Sequence, residues 1–244
     1  MQQSRQEIGR AEFVDTAGGK RAFYAVPAGS GPFPGVLVFQ EAFGINGYVQ
    51  NEVKRLAAHG YAAIAPDLFD GETFGYDEWD KIQPRMSMLT DDGMLEHVDD
   101  AIRFLEAQAE VKHGPYGAVG FCMGGRLAFL TAVSRPQKIA AAASFYGGGI
   151  APEKRRIFPP LLDRVPELGG ELLLIYGAND DGITPQEHAR LTEALSANKK
   201  RYHISVYPGA GHGFASTDRT PAYEPNAAEA AWAETLALFD RALR

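Results

Sequence analysis

The chain has one cysteine among 244 residues. A single thiol excludes an intrachain disulfide framework and any CxxC metal site, and neither an HExxH segment nor a paired-histidine motif points to zinc. No apolar run reaches the roughly 18 residues of a membrane span, and Met1 to Arg5 lead into a polar segment where a secretion signal would carry its apolar stretch. Dense Lys/Arg runs are missing too, and the formal charge of -7 argues against a nucleic-acid footprint. Repeats and low-complexity segments are absent. These exclusions set the expectation of a soluble cytoplasmic protein with no metal, no cofactor, no nucleic acid and no membrane partner. Its oligomeric state, monomer or small homo-oligomer, stays open.

What is present suits one α/β domain over residues 1–244, since a chain of this length with 45% hydrophobic residues can bury a large core. Glu7 to Asp15 and Arg21 to Pro27 flank a Gly18-Gly19 turn and read as an antiparallel hairpin at a sheet edge. From residue 35 onward buried strand runs near 35–39, 61–65, 116–121, 140–146, 171–176 and 203–207 alternate with helical segments, which predicts a mainly parallel central sheet flanked by helices. Leu95, Val98, Ile102 and Leu105 stripe one helix, and Trp232, Leu236, Phe239 and Leu243 stripe the last. Two stretches read as irregular and able to shape a pocket: Phe69 to Pro84, with Phe74, Tyr76 and Trp79, and Gly147 to Gly170, with Phe158.

The lone cysteine sits in Gly120-Phe121-Cys122-Met123-Gly124-Gly125, a G-x-C-x-G pattern between a strand run and an apolar helical run. A nucleophile elbow demands this spacing, because the strained strand-to-helix turn leaves room only for small residues two positions to either side. A helix starting after Cys122 sets its positive end beside the sulfur and favours thiolate. The alternative is a buried structural cysteine in a Gly-rich turn. No G-x-S-x-G segment competes for the role of nucleophile.

Partners follow in the order nucleophile, acid, base. The run 171–176 ends in Gly177-Ala178-Asn179-Asp180-Asp181, and the run 204–207 ends in Pro208-Gly209-Ala210-Gly211-His212-Gly213-Phe214. Both loops fall at the carboxyl edge of a parallel sheet, where such folds place their chemistry. An acid there orients the imidazole, and the imidazole takes the thiol proton or pairs with the thiolate. His212 lies in a Gly-rich loop without apolar periodicity, which argues against a packed core histidine; His59, His97, His113, His188 and His203 read as surface or packing residues. Of the two adjacent acids, one can be a turn residue or a cap for the helix that Pro185 starts. Glu41, between the apolar strand run 35–39 and a Gly-containing loop, reads as a partly buried carboxyl whose pKa burial raises toward that of a useful base; a salt bridge or loop cap is the other reading.

With Phe39-Gln40-Glu41-Ala42-Phe43-Gly44-Ile45-Asn46, the cysteine elbow and the Gly-His-Gly-Phe loop in one chain, the sequence resembles the dienelactone hydrolase family over nearly its whole length. The resemblance implies an α/β-hydrolase fold and hydrolysis of a small ester or lactone. It implies that Cys122 is the nucleophile, His212 the base, Asp180 or Asp181 the acid, and Glu41 the carboxylate that helps generate thiolate, with the amides of Ala42 and Met123 as the oxyanion hole. Counting from Gly177 the family spacing selects Asp180; counting back from Pro185 it selects Asp181. Asp180 is favoured because it keeps its distance from the strand end. One position departs from the family pattern: the arginine that binds the substrate carboxylate in the dienelactone enzymes falls here at Ser216, which weakens the case for a carboxylated lactone and leaves Arg85, Arg126 and Arg219 as other cations. Phe43, Tyr146, Phe214 and Ser216 are expected to line the substrate pocket. A small-ligand binding or sensory protein that keeps the fold without turnover is the alternative function.

Overall fold

The computed structural model describes residues 5–154 and 157–244; Met1 to Ser4 of the polar N-terminal reading lie outside them. Eight strands form one sheet: β1 (Ile8–Asp15), β2 (Arg21–Pro27), β3 (Phe33–Phe39), β4 (Ala62–Pro66), β5 (Val111–Phe121), β6 (Ile139–Phe145), β7 (Glu171–Gly177) and β8 (Tyr202–Tyr207), in the order β1-β2-β4-β3-β5-β6-β7-β8. From β4 across to β8 every neighbouring pair is parallel. The hairpin pairs antiparallel within itself and with β4, so β1 forms the edge. This is the mainly parallel α/β-hydrolase sheet with an N-terminal antiparallel hairpin.

The helices are α1 (Gly47–Ala58), α2 (Trp79–Ser87), α3 (Asp91–Ala107), α4 (Met123–Ser134), α5 (Pro185–Ala197) and α6 (Pro225–Leu243). Successive strand residues point to opposite faces, and β5 shows which helices share which face. A Cβ on Gly117 would meet Phe239 and Leu243 of α6, whereas the neighbouring Tyr116 lies beside Gly35 together with Leu105 of α3. Thus α6 covers one face with α1, whose Arg55 sits over Trp232, and α3 covers the other with α4, to which the Arg135–Asp99 pair ties it. Both expected stripes face the core: Leu95, Val98, Ile102 and Leu105 are buried, as are Trp232, Phe239 and Leu243, with Leu236 packed against them. Helix α4 shows no stripe because every residue from Met123 to Val133 is buried, and a helix enclosed on all sides has no polar face to alternate with.

The stretch 69–84 is less irregular than its sequence suggests, since α2 begins at Trp79 and carries Pro84 inside it. Only Ile82 of that helix is buried, so no apolar period marks it. Helix α5 starts with Pro185 in its first turn behind Thr184, whose hydroxyl accepts from the Glu187 amide. Among the described residues no helix is long and apolar enough to cross a membrane.

Candidate active site

The end of β5 and the start of α4 enclose Cys122 in a turn with no spare space. Cys122 itself has φ 55° and ψ -115°, a conformation that is costly for a residue with a side chain. Its amide donates to the Phe145 carbonyl at 3.0 Å, and its carbonyl accepts from Arg126 as the first turn of α4 closes. A Cβ on Gly120 would lie 2.0 Å from the Gly124 carbonyl oxygen, and one on Gly124 would lie 2.3 Å from that of Phe39. Both flanking glycines are therefore required by backbone contact, and the strained turn is held from β3 and β6 at once. Met123 opens α4, so its amide has no partner within the helix.

The acid and histidine loops are joined to each other. Asn179 donates from its backbone to the Ala210 carbonyl at 2.8 Å and from its side chain to Gly209 at 3.3 Å. Asp180 is buried; its Oδ1 accepts the Gly182 amide at 2.8 Å and its Oδ2 lies 2.7 Å from His212 Nδ1. Asp181, one residue on, is exposed. The backbone turn at Gly182 thus aims one carboxylate oxygen at the imidazole and leaves the neighbouring acid in solvent. Burial alone would depress the His212 pKa; the electrostatic pull of Cys122 and the hydrogen bond to Asp180 outweigh it and push the pKa up to about 10.

Glu41 follows directly on β3 and is 1% exposed. Neither of its carboxyl oxygens has a hydrogen-bond partner among the described residues. Burial pushes its pKa up to about 7 against the opposing pull of His212 and Arg219. Glu41 is thus a carboxyl that gains and loses a proton near neutrality, within electrostatic reach of the imidazole. Ala42 is buried behind it.

Cys122, Met123 and His212 open onto one cavity of about 360 Å³, whose wall is completed by Met86, Arg126, Gly148, Gly149, Ile157, Phe158, Gly182 and Ile183. The four residues expected to line the pocket are not among these. Phe43, Tyr146, Phe214 and Ser216 are at most 1% exposed and lie behind the site. Phe43 packs against Tyr76 and Trp79, and Tyr146 against His212 and Phe214, at ring separations of 4.4 to 5.5 Å. Ser216 Oγ lies 3.1 Å from the Tyr76 hydroxyl. Neighbourhood in sequence to Glu41 and His212 suggests Phe43 and Phe214, a place just after a strand suggests Tyr146, and the family arginine position suggests Ser216, but all four side chains are buried in the core and none is among the described residues that line the cavity. Of the aromatics of 69–84, Phe74 and Tyr76 pack inward on Phe69 and Phe43 while Trp79 is exposed, whereas the stretch 147–170 supplies cavity wall through Gly148, Gly149, Ile157 and Phe158.

Of the three candidate cations, only Arg126 reaches the wall. Arg85 is held by Asp70 and Glu72 at 2.8 Å each. Arg219 lies beside Gly213 and acts on Glu41 through space. Met86 and Ile183 escaped the sequence reading because neither belongs to a motif. Among the described residues no group of three or more His, Cys, Asp or Glu side chains is placed to hold a metal ion.

The family model described as the dienelactone hydrolase family matches residues 21–243. A Synechocystis protein named "Putative carboxymethylenebutenolidase" is 31% identical over 91% of this chain and 92% of its own. A Bradyrhizobium protein named "Probable 2-oxo-3-(5-oxofuran-2-ylidene)propanoate lactonase" is 34% identical over 91% of this chain and 90% of its own. The crystal structure titled as a putative dienelactone hydrolase from Klebsiella pneumoniae superposes with a TM-score of 0.88 at 30% identity, covering 97% of this chain and all of that one.

Proposed function

The chain belongs to the dienelactone hydrolase family and is a hydrolase acting on a lactone or ester, and we propose that it works through an acyl-enzyme on Cys122. The carrying observation is the convergence on one cavity of a thiol on a strained residue at the start of α4 and an imidazole held at 2.7 Å by a buried carboxylate. In this reading His212 and Glu41 favour the thiolate, with Glu41 suited to the task because its pKa of about 7 lets it hold a proton at neutral pH. Asp180 keeps the imidazole in one tautomer and orientation.

The thiolate attacks the substrate carbonyl carbon, and the electron pair of the C=O bond moves onto oxygen. The amides of Met123 and Ala42 hold that oxyanion, each such donor in a dry site being worth about 3 to 4 kcal/mol. Collapse of the intermediate expels the alkoxide, which takes a proton from the His212 imidazolium and leaves a thioester on Cys122. His212 then removes a proton from water, whose oxygen attacks the thioester and releases acid and thiolate. In a lactone the leaving alkoxide stays tethered to the acyl group and departs with it in this second step.

A panel of p-nitrophenyl esters and small lactones, run with wild type and Cys122→Ala side by side, tests the reading. Turnover in the wild type and none in a folded Cys122→Ala protein is the expected result. Turnover retained by the variant would remove Cys122 as nucleophile.

A further inference from the structure

The cavity beside Cys122 is lined largely by Met86, Met123, Ile157, Phe158 and Ile183, yet a guanidinium is built into its wall. Arg126 is 2% exposed, and its two terminal nitrogens lie 2.6 and 3.0 Å from the two carboxylate oxygens of Asp91. One of those nitrogens also donates to the Pro159 carbonyl at 2.6 Å, and the Phe158 ring lies 5.0 Å from the guanidinium carbon. Asp91 is the first residue of α3 and Arg126 belongs to the first turns of α4, so the pair also clamps two helices.

We infer that Asp91 is a specificity-determining residue: by occupying Arg126 it neutralises the guanidinium that the described residues build into the cavity wall, so that the hydrolase selects esters or lactones whose acyl groups are neutral and largely apolar. This rests on the reading of Cys122 as the nucleophile at this cavity. A substrate carboxylate entering the cavity gives up water and needs a cation in return. At Arg126 the two-toothed carboxylate geometry is already filled, and a second anion on the same guanidinium would sit beside Asp91, where like charges repel strongly in a poorly solvated wall. His212 offers no alternative, since it is shared between Asp180 and Cys122, with the Glu41 carboxyl behind. A neutral acyl chain meets none of these penalties. It gains instead from burying methylenes against Met86, Ile157, Phe158 and Ile183.

The test compares p-nitrophenyl hexanoate with mono-p-nitrophenyl adipate, esters of equal acyl length that differ in one terminal carboxylate. Wild type is expected to favour the hexanoate in kcat/KM by at least about tenfold beyond the ratio of their hydroxide-catalysed rates. Asp91→Asn frees the guanidinium and moves that ratio toward the adipate by about tenfold or more, with a gain that shrinks as salt is added. Asp91→Glu keeps the wild-type ratio. If Asp91→Asn does not fold, the double variant Asp91→Leu/Arg126→Met removes both charges, as apolar replacement of buried pairs often permits, and is expected to retain the preference for the neutral ester. A wild type that prefers the adipate, an Asp91→Asn protein with an unchanged ratio, or a double variant that loses discrimination overturns the inference. Turnover surviving in Cys122→Ala would instead overturn the parent reading, so the two failures are separate.

Discussion

Glu41→Gln isolates the energetic consequence of putting a lone carboxyl under the site. The unfolded chain releases the Glu41 proton near the ordinary value of 4.5, whereas the folded protein holds it until about pH 7. Between those limits the folded state carries more protons than the unfolded one, so this group makes stability fall as pH rises. The displacement from 4.5 to about 7 corresponds to about 3 kcal/mol, absent below pH 4.5 and fully expressed above pH 7. Glutamine has nearly the same shape and does not titrate. Whatever fixed energy its amide gains or loses in the buried position is the same at every pH and drops out of the comparison. Glu52, whose pKa burial also pushes up to about 7, is present in both proteins and cancels. Urea unfolding of wild type and Glu41→Gln at pH 4.5 and pH 8 therefore yields a stability difference that shifts in favour of the glutamine by about 3 kcal/mol between the two conditions. In thermal unfolding that is a relative gain of roughly 6 to 12 °C for a chain of this size. The same substitution is expected to lower turnover if Glu41 helps generate the thiolate as proposed, because the titrating carboxyl within electrostatic reach of His212 is gone. A stability difference that stays constant with pH to within about 0.5 kcal/mol would show that the native fold does not disfavour the Glu41 carboxylate, and the account of its pKa would fall with it.

The two neighbouring acids separate in the same assay that tests Cys122. Asp180→Asn is expected to reduce kcat by about a thousandfold or more through loss of the imidazole's orienting partner, while Asp181→Asn, exposed and away from the imidazole, stays within about threefold; a larger effect at Asp181 would reverse the assignment. Gly124→Ala presses a methyl to 2.3 Å from a backbone oxygen and is expected to lose at least about 3 kcal/mol or fail to fold. Gly209→Ala, at φ 80° in open space, serves as its control and loses about 1 to 2 kcal/mol by equilibrium denaturation. Equal losses at the two glycines would mean that the elbow has more slack than its contacts indicate.

The frame of the fold was legible because strands buried on both faces leave uninterrupted apolar runs, as at Val36 to Phe39 and Leu172 to Ile175. The elbow was legible for a different reason: contact distances of 2.0 and 2.3 Å demand glycine at 120 and 124, so geometry writes itself into residue type. The choice between Asp180 and Asp181 turned on where a loop bends, which spacing alone constrains from two directions with opposite answers. The cavity wall was mostly illegible. Arg126 and the stretch around Ile157 were among the candidates, but Met86 and Ile183 come from separate segments, belong to no motif and share no spacing, since a wall only requires that apolar surface arrive from somewhere. Phe43 and Phe214, by contrast, stand close to Glu41 and His212 in the chain yet are buried in aromatic contacts with Tyr76, Trp79, Tyr146 and Tyr207, because closeness in sequence does not fix which side of a loop a side chain packs on.

Several costly features lie where the chemistry is proposed. Cys122 and Tyr146 both hold positive φ, at 55° and 39°, and Glu41 is buried without a partner. None of these features helps the chain to fold, and each persists because its surroundings are determined by other contacts. The elbow is pinned between Phe39 and Phe145 in adjoining strands, and Tyr146 is held by its amide on the Ile175 carbonyl at 2.7 Å. Helix α4, enclosed on all sides, cannot shift to relieve the turn that precedes it. A turn strained and pinned in this way is rigid before any substrate arrives, which suits the role proposed for its thiol. The Glu41 carboxyl follows the same logic electrostatically: a proton acceptor matched to neutral pH requires burial, and burial is what lowers the stability of its charged form. Substitutions that relax the site are therefore expected to stabilise the fold and slow the reaction together, with Glu41→Gln the case in which pH separates the two effects.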